Sequence, residues 1–159
     1  MIGRRGARAL GMAAAGLLVA ATAGAAFAQS AAQKAVAARQ EQYKQLGAAF
    51  KTINDELKAG SPDMAAIGAA AGKMNTLAGK IPGWFPKGSG VESGAKTRAL
   101  PAIWSDAAGF AAAQRGFQAE TAKLQKVAAA GDLAGVRAQA RAVGGGCKSC
   151  HDKYRAPEK

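Results

Sequence analysis

The sequence predicts an all-α protein, an antiparallel four-helix bundle, and three observations support that fold class. Apolar residues recur at spacings of three and four along four stretches, which is the period of a helix with one buried face. Gly or Pro residues stand between those stretches, where helices end. No stretch alternates apolar and polar residues with the period of two that is typical of a strand. Two short connections and one long one fit a bundle of neighbouring helices.

The first 28 residues have the pattern of a secretory signal peptide. Three arginines within the first eight residues precede an apolar stretch over residues 10–26, and Ala26-Phe27-Ala28 supplies the small residues of a cleavage site. A membrane anchor is the alternative, but this stretch is mostly Ala and Gly instead of about 20 strongly apolar residues. We therefore expect cleavage after Ala28, export to the periplasm, and a mature chain of residues 29–159 without a membrane anchor.

The chain is strongly basic, and its charge is evenly spread. The full sequence has 22 Lys and Arg against 10 Asp and Glu, a net charge of +12, and loss of the three leader arginines leaves +9. Basic residues form no run of five or six and the aromatic residues do not alternate with them, so nucleic-acid binding is not indicated. A solvated basic surface that meets acidic partners is expected instead.

The first predicted helix runs from Val36 to the sequence Gly60-Ser61-Pro62, and the second from about Asp63 to Lys80. Gly suits the residue that follows a helix end, and Pro does not continue a helix. The first helix carries one charge, Arg39, on its otherwise apolar face. The remaining face positions are Val36, Tyr43, Leu46, Phe50, Ile53 and Leu57 in the first helix, and Ile67, Ala70, Met74, Leu77 and Ile81 in the second.

A long connection separates the second predicted helix from the third. Residues 82–100 are rich in Gly and Pro, and loops of that length are usually functional or disordered. The third helix is expected at about 101–130 and the fourth at about 133–154, with Gly131 as the stop and Asp132 as the N-cap between them. Their apolar faces comprise Ile103, Phe110, Phe117 and Leu124 in the third helix, and Leu133, Val136, Ala140, Val143, Cys147, Cys150 and Tyr154 in the fourth.

Both cysteines and the only histidine of the chain stand in one motif, Cys147-Lys148-Ser149-Cys150-His151. In a Cys-x-x-Cys-His sequence, each thiol can form a thioether with a haem vinyl group, and the adjacent imidazole can bind the iron. Residues three apart on a helix point the same way, which suits two bonds to one cofactor. The motif therefore predicts one covalent haem c, attached to Cys147 and Cys150, with His151 as the axial iron ligand.

Other uses of these residues fit the sequence less well. A redox dithiol normally follows a strand in a thioredoxin-like fold, and no strand is predicted here. A disulfide between Cys147 and Cys150 would close too small a loop to constrain the chain. Two cysteines and one histidine exclude a disulfide-rich scaffold, a zinc site of four Cys or of paired Cys and His, and a centre with two histidines from one subunit.

The second axial position of the iron has no obvious ligand in the sequence. The chain has no second His, and residues 152–159 contain no Met. The mature chain has only Met64, which opens the second helix, and Met74, which lies on its core face, where Met usually serves packing. A five-coordinate iron held by His151 alone is therefore expected, and a vacant haem face among apolar side chains favours small neutral gases.

With its leader, four helices and C-terminal haem motif, the chain resembles the cytochrome c′ family, the class II cytochromes c, over essentially all of its mature length. Members of that family are four-helix bundles. Several matches in the same order are more specific than the haem motif alone. The matching segments are residues 39–44, 96–106, 130–133 and 147–155.

The resemblance implies roles for side chains around the haem. In the family, the arginine that matches Arg39 contacts a haem propionate, and the polar residue that matches Gln40 lies against the haem. A charge on an apolar helix face is costly unless it is paired; the alternative is that Arg39 extends past the end of the bundle to solvent. Arg155 matches a basic residue near the proximal face, or is an exposed tail charge. Further haem-edge residues implied by the resemblance are Trp84, Phe85, Pro86, Thr97 and Arg98.

Tyr43 departs from the family pattern. It matches the distal position over the open iron face, which is usually Leu, Met or Phe in this family. A phenol there could hydrogen-bond a bound ligand, bind the iron weakly as a phenolate, or turn its ring over the haem with the hydroxyl toward water. Phenolate binding requires a pKa far below the usual value of about 10.

Three consecutive glycines, Gly144-Gly145-Gly146, precede the haem motif within the fourth predicted helix. Each weakens a helix by roughly 1 kcal/mol relative to alanine. Flexibility before haem attachment and close approach of the backbone to another helix are both open explanations.

The sequence thus predicts a periplasmic haem protein with five-coordinate iron that binds NO and CO and takes part in electron transfer with an unidentified redox partner. The alternative is a six-coordinate, low-spin electron carrier with a sixth ligand from Met64, Met74 or Tyr43. An enzyme is not expected, because the distal His and Arg constellation of a peroxidase is missing. Alanine-rich helix faces and the resemblance favour a homodimer.

Overall fold

The computed structural model describes residues 17–157, with side chains from residue 31 onward. Most of the predicted leader, including its three arginines, lies outside the described residues. The first described helix passes without a break through the expected cleavage site after Ala28 and ends at Glu56. Leader cleavage and export therefore stay predictions.

The described chain consists of four long helices, one short helix and two 3-10 turns. The second and fourth predicted helices begin and end within one residue of their predicted bounds. The third ends within one residue of its predicted end but is interrupted near its start. The bounds are α1 Leu17–Glu56, α2 Met64–Lys80, α3 Ala102–Ser105, α4 Ala107–Ala129 and α5 Leu133–Tyr154, with 3-10 turns at Ile81–Trp84 and Val91–Ser93.

Side-chain caps set where α2 and α5 begin. The Asp63 carboxylate accepts two hydrogen bonds from N–H groups in the first turn of α2, at 2.8 and 3.2 Å. Asp132 accepts one from the N–H of Gly135 at 2.8 Å. Each satisfies donors that a helix start leaves without a partner. Gly131 has φ +70°, the left-handed conformation that ends α4, so the predicted stop and N-cap are confirmed.

The prediction of one unbroken third helix over 101–130 is wrong. Asp106 leaves helical geometry, with φ −113° and ψ 54°, and divides the stretch into α3 and α4. Its side chain accepts a hydrogen bond from the N–H of Gly109 at 3.1 Å, so the residue acts as an N-cap in the middle of the apolar pattern. Aspartate side chains compete in this way with the backbone hydrogen bonds of a helix.

The long helices form a bundle in which α1 packs against α2, α2 against α4, and α4 against α5. This confirms the predicted four-helix bundle. Full burial of each large aliphatic side chain contributes about 1.5 to 3 kcal/mol. The largest fully buried apolar side chains are Ile53, Ile67, Met74, Leu124, Val36, Val136 and Val143.

A second, smaller cluster closes one end of the bundle, where α3 and α4 meet the last turn of α5. Ile103, Phe110 and Tyr154 are buried there. Within residues 17–157, β pairing is limited to an isolated bridge between Ala99 and Arg155. In the same part of the chain, no helix has the length and apolar composition to cross a membrane.

Candidate cofactor cavity

A cavity of about 730 Å³ lies between α1, α4 and α5 and reaches the loop that precedes α3. Its volume is within the range of small-molecule and cofactor sites. Of the twelve residues that the sequence analysis placed at the haem, the nine outside residues 84–86 all line this one cavity. They are Arg39, Gln40, Tyr43, Thr97, Arg98, Cys147, Cys150, His151 and Arg155. Of the three loop residues expected at the haem edge, Phe85 lines the cavity, whereas Trp84 and Pro86 do not.

The Cys-x-x-Cys-His motif occupies the last turns of α5, so both thiols reach the cavity from one helix face. The two cysteines are not bonded to each other. Burial raises the pKa of both thiols above the usual value. A reactive dithiol has a lowered pKa instead, so this surrounding does not favour redox exchange.

His151 is exposed at the edge of the cavity, and its partly desolvated imidazole is favoured in the neutral form. Burial lowers its pKa, and the neighbouring guanidinium groups of Arg155 and Arg98 lower it further. Nη1 of Arg155 lies 3.4 Å from Nδ1 of His151. A neutral imidazole is the form that binds a metal ion.

Backbone pairing holds the end of α5 against the loop before α3. The N–H of Leu100 donates to the Tyr154 carbonyl at 3.0 Å, and the N–H of Ala156 donates to the Arg98 carbonyl at 2.8 Å. The Tyr154 hydroxyl donates to Asp106 at 2.9 Å, so the residue that begins α4 also anchors the last turn of α5. These bonds fix the segment that carries His151.

Arg39 is 3% exposed and does not extend past the bundle to solvent, so that alternative is wrong. Its Nη1 donates to Ser89 Oγ at 2.8 Å, and its Nη2 donates to the Ser89 carbonyl at 2.7 Å and to Thr97 Oγ1 at 2.8 Å. The guanidinium also lies 4.9 Å from the ring centroid of Phe85. All three hydrogen-bond acceptors are neutral groups, and the carboxylate of Glu92 acts on the guanidinium only through space, where it opposes the lowering of the pKa of Arg39 by burial.

The long connection is ordered by bonds to α1. Besides the contacts of Arg39, Nε2 of Gln40 donates to the Lys96 carbonyl at 2.8 Å. Nε2 of Gln33 approaches the Ser93 carbonyl at 3.4 Å. The loop therefore forms one wall of the cavity, which agrees with a functional role for a loop of this length.

Tyr43 lies on the cavity wall among other aromatic rings. Its ring meets Trp84 edge-on, with centroids 4.9 Å apart, and Phe85 at 6.2 Å. Burial raises the pKa of the phenol above its usual value, and the thiols of Cys150 and Cys147 raise it further. The hydroxyl is therefore neutral, and a phenolate is disfavoured in this surrounding.

Gln114 is a cavity residue that the sequence analysis missed. It is 8% exposed, lines the cavity, and makes no hydrogen bond to any residue that the structure describes. It stands on the same face of α4 as Phe110 and Phe117, which also line the cavity. The sequence contains a signal for Gln114, because it is a polar residue on an otherwise apolar helix face, as Arg39 is.

The cavity fits a haem on the chemistry of its own residues. Aromatic and aliphatic side chains form most of its wall, and two thiols and one imidazole reach it from the same helix. A buried guanidinium whose hydrogen bonds all go to neutral groups stands at its rim. An apolar planar group with carboxylate substituents matches that combination.

The family model for cytochrome C′ matches residues 34–155. The chain belongs to the cytochrome c′ family. Cytochrome c′ proteins carry covalently bound haem c, and haem c is accordingly the cofactor of this chain.

Two relatives show how far the similarity extends. A cytochrome c′ from Alcaligenes xylosoxydans xylosoxydans is 40% identical over 124 residues, which cover 77% of this chain and 94% of the relative. A cytochrome c′ from Rubrivivax gelatinosus is 47% identical over 68 residues, 43% of this chain. That match spans 53%, about half, of the relative's length.

Solved cytochrome c′ structures share the fold. A nitric oxide complex of a variant from Alcaligenes xylosoxidans superimposes with a TM-score of 0.72 at 35% identity, covering 80% of this chain and 97% of that one. A cytochrome c′ described by ligand-controlled dimer dissociation gives a TM-score of 0.74 at 27% identity, covering 79% and 97%.

Proposed function

We propose that this cytochrome c′ binds NO and CO at a haem iron whose only protein ligand is His151, and that it takes part in electron transfer. The haem would be attached through the sulfur atoms of Cys147 and Cys150. When bound, it supplies an iron that changes oxidation state and has a vacant position for a diatomic gas.

The position of the two methionines carries the proposal. Met74 is 0% exposed and packs in the helix core, and Met64 packs against the same core. Neither lines the cavity. The Tyr43 phenol does line it, but burial raises its pKa, which opposes phenolate binding. Each sixth ligand considered for a low-spin electron carrier is thus disfavoured.

The chain's own residues would prepare the gas site. His151 presents a neutral imidazole, because burial and two nearby guanidinium groups lower its pKa. The Arg39 guanidinium lines the cavity and would pair with a haem carboxylate. Apolar side chains exclude water, and the rings of Tyr43 and Phe85 restrict the space beside the site. A small neutral molecule suits such a surrounding better than an ion does.

The similarity to a nitric oxide complex of a cytochrome c′ supports NO as a ligand. Export to the periplasm follows from the leader pattern and is part of the proposal, as is a role in binding and electron transfer without catalysis.

A homodimer is also proposed, since exposed alanines Ala37, Ala38 and Ala48 on α1 allow close helix approach. Sedimentation velocity of the purified protein tests it, and a monomer at every concentration would reject it.

Optical and EPR spectra of the ferric and ferrous protein, with and without NO and CO, test the coordination. We expect high-spin spectra that change when either gas is added. The matched variants Met64→Leu and Met74→Leu should give the same spectra as the unmodified protein. Low-spin spectra that do not respond to gas would reject the proposal, and conversion to high spin in one variant would identify the sixth ligand.

A further inference from the structure

A second cavity, a surface groove of about 360 Å³, lies on the outer side of the bundle between α1 and α5. It shares Phe50 and Gly144 with the cofactor cavity. Those two residues therefore form the partition between the groove and the cavity. The other groove residues are Asn54, Leu57, Arg137, Ala140 and Arg141.

The groove meets the cofactor cavity away from its cationic rim. On α1, Phe50 follows Gln40 by ten residues, which is about 15 Å along a helix. On α5, Gly144 precedes His151 by seven residues, about 10 Å. The rim beside Arg39 and Gln40 suits the polar edge of a cofactor, and the Phe50 end is the apolar one.

Two of the three polar side chains of the groove bond to backbone carbonyls, and the third, Arg141, is exposed. Nδ2 of Asn54 donates to the Phe50 carbonyl at 2.8 Å. Nη1 of Arg137 donates to the Leu57 carbonyl at 2.7 Å. The apolar part of the lining consists of Phe50, Leu57 and Ala140. A neutral, apolar molecule in contact with these side chains displaces neither of the two hydrogen bonds.

Phe50 is half-buried, whereas its neighbours on the same face, Leu46 and Ile53, are 6% and 0% exposed. Its ring ends close to Gly144: a Cβ added there would lie 3.7 Å from Cζ of Phe50. That is ordinary van der Waals contact, so alanine would fit the arrangement in the structure.

Glycine at 144 therefore needs a reason other than close packing. Ala140 fills the equivalent slot one turn earlier and is 4% exposed, so α5 tolerates a methyl group on this face. Glycine weakens the helix relative to alanine, and the weakening brings no relief of a clash. What it leaves is free space beside the Phe50 ring, into which the ring can turn.

We propose that the groove is the entrance through which small neutral gases reach the cofactor cavity, with the Phe50 ring as the gate and Gly144 as the space that lets the gate open. The proposal rests on the gas binding proposed above. It gives the glycine triplet a function at its first position.

Flash photolysis of the CO complex of the full holoprotein tests the gate. In Phe50→Ala the bimolecular rate constant for CO binding should rise on the order of tenfold, and in Gly144→Ala it should fall by a similar factor. The control is Gly145→Ala, because Gly145 lines neither cavity and a Cβ added there would meet no side chain or other helix within 4 Å; its rate should match the unmodified protein. Equal rates in all four proteins would overturn the proposal.

The double variant separates gating from direct obstruction of the cavity. If Gly144 acts through the ring, Gly144→Ala should have no effect on the rate once Phe50 is Ala, because contacting residues are coupled and the ring is gone. An equal slowing in both backgrounds would reject the gate. If Phe50→Ala does not fold, Gly144→Ala still decides, since its added methyl group meets no clash.

Xenon provides a readout that does not depend on the iron, because it enters dry apolar cavities. In crystals under xenon pressure, we expect xenon in the groove beside Phe50, and xenon that is continuous with the cofactor cavity in Phe50→Ala. A groove without xenon in both proteins would count against the entrance. CO that fails to bind even the unmodified protein would instead reject the proposed function, so the two failures are distinguishable.

Discussion

Arg39 combines two properties that rarely coexist in one side chain, nearly complete burial and a full charge. Its three hydrogen bonds join α1 to the loop at Ser89 and Thr97. The carbonyl and hydroxyl groups solvate the guanidinium but leave its charge, which suits an anionic group of the cofactor. One residue thereby orders the loop and prepares the rim of the cavity.

Replacing Arg39 by Met should loosen the loop. Hydrogen bonds to a charged group contribute roughly 1.5 to 3 kcal/mol each and do not add fully, so we expect the free energy of unfolding to fall by about 3 kcal/mol. Arg39→Lys keeps the charge but not the fork, and should lose less. Denaturant unfolding measures both, with Arg115→Gln as a control at an exposed arginine of α4. Equal stability of Arg39→Met and the control would contradict this role.

Tyr43 narrows the space over the expected gas site. Its ring is held by Trp84 and Phe85, so it does not move aside without cost. We expect Tyr43→Leu to increase the affinity for CO by about tenfold, which corresponds to about 1.4 kcal/mol. Tyr43→Phe keeps the ring and should leave the affinity nearly unchanged. A gain in Tyr43→Phe alone would show that the hydroxyl, and not the ring, controls binding.

At the scale of helices, Asp106 has the widest influence. It accepts hydrogen bonds from the N–H of Gly109 and from Tyr154, and pairs with Lys153 at 2.7 Å. Asp106 interrupts the helix that the sequence predicts as continuous. In return, its contacts with Tyr154 and Lys153 connect the start of α4 to the end of α5. That connection positions the turn that carries His151.

Acid should weaken this connection. The hydrogen bonds from Lys153, Tyr154 and Gly109 lower the pKa of Asp106. A carboxyl group with a lowered folded pKa contributes stability above its unfolded pKa, and loses that stability as the pH falls through the folded pKa. The free energy of unfolding should therefore decrease less on acidification in Asp106→Asn than in the unmodified protein. Parallel pH profiles for the two proteins would contradict the expectation.

Gly131, which follows α4, and Gly145, which lies within α5, should respond to alanine in opposite directions. Gly131 has φ +70°, so Gly131→Ala should destabilise the protein by about 1 kcal/mol or more. Gly145 is helical and a Cβ added there would meet no side chain or other helix within 4 Å, so Gly145→Ala should stabilise the protein by up to about 1 kcal/mol. Thermal or denaturant unfolding of the pair checks the signs. A loss of stability in Gly145→Ala would contradict the expectation and would mean that position 145 of α5 does not tolerate a methyl group.

Across the whole molecule, positive charge is more concentrated at the mouth of the cavity than the even spread of basic residues along the sequence suggests. Arg39, Lys44, Arg98 and Arg155 line the cavity, and no Asp or Glu is among its described lining residues. Exposed Lys96 adjoins the same rim through the bond between its carbonyl and Gln40. The positive electrostatic potential of these residues attracts anions and acidic surfaces.

Electron exchange with an anionic reagent should reveal this field. Oxidation of the reduced protein by ferricyanide should slow as salt is added, because screening weakens the attraction. Lys44→Glu with Lys96→Glu should slow it at low salt, whereas Lys73→Glu with Lys80→Glu, the same change of charge at exposed lysines of α2 outside the cavity, should have little effect. Equal slowing by both changes would mean that net charge matters and the rim does not.

Much of this protein is determined locally and was therefore predictable. The periodic apolar faces, the Asp132 cap after Gly131 and the Cys-x-x-Cys-His motif depend on neighbours within one or two helical turns. The resemblance to the cytochrome c′ family added residues far apart in the chain, such as Arg39 and Thr97, and the structure brings them to one cavity. Which of them touch the haem stays a prediction.

Only the tertiary structure decided the features that depend on several helices at once. The break at Asp106 is stabilised by Tyr154, 48 residues away, and no local pattern contains that partner. Gln114 lines the cavity because α4 turns it there, and Met74 is buried in the core because α2 turns it there. Sequence periodicity identifies the side chains that face inward. The packing of the helices determines whether such a side chain lies in the core or lines the cavity.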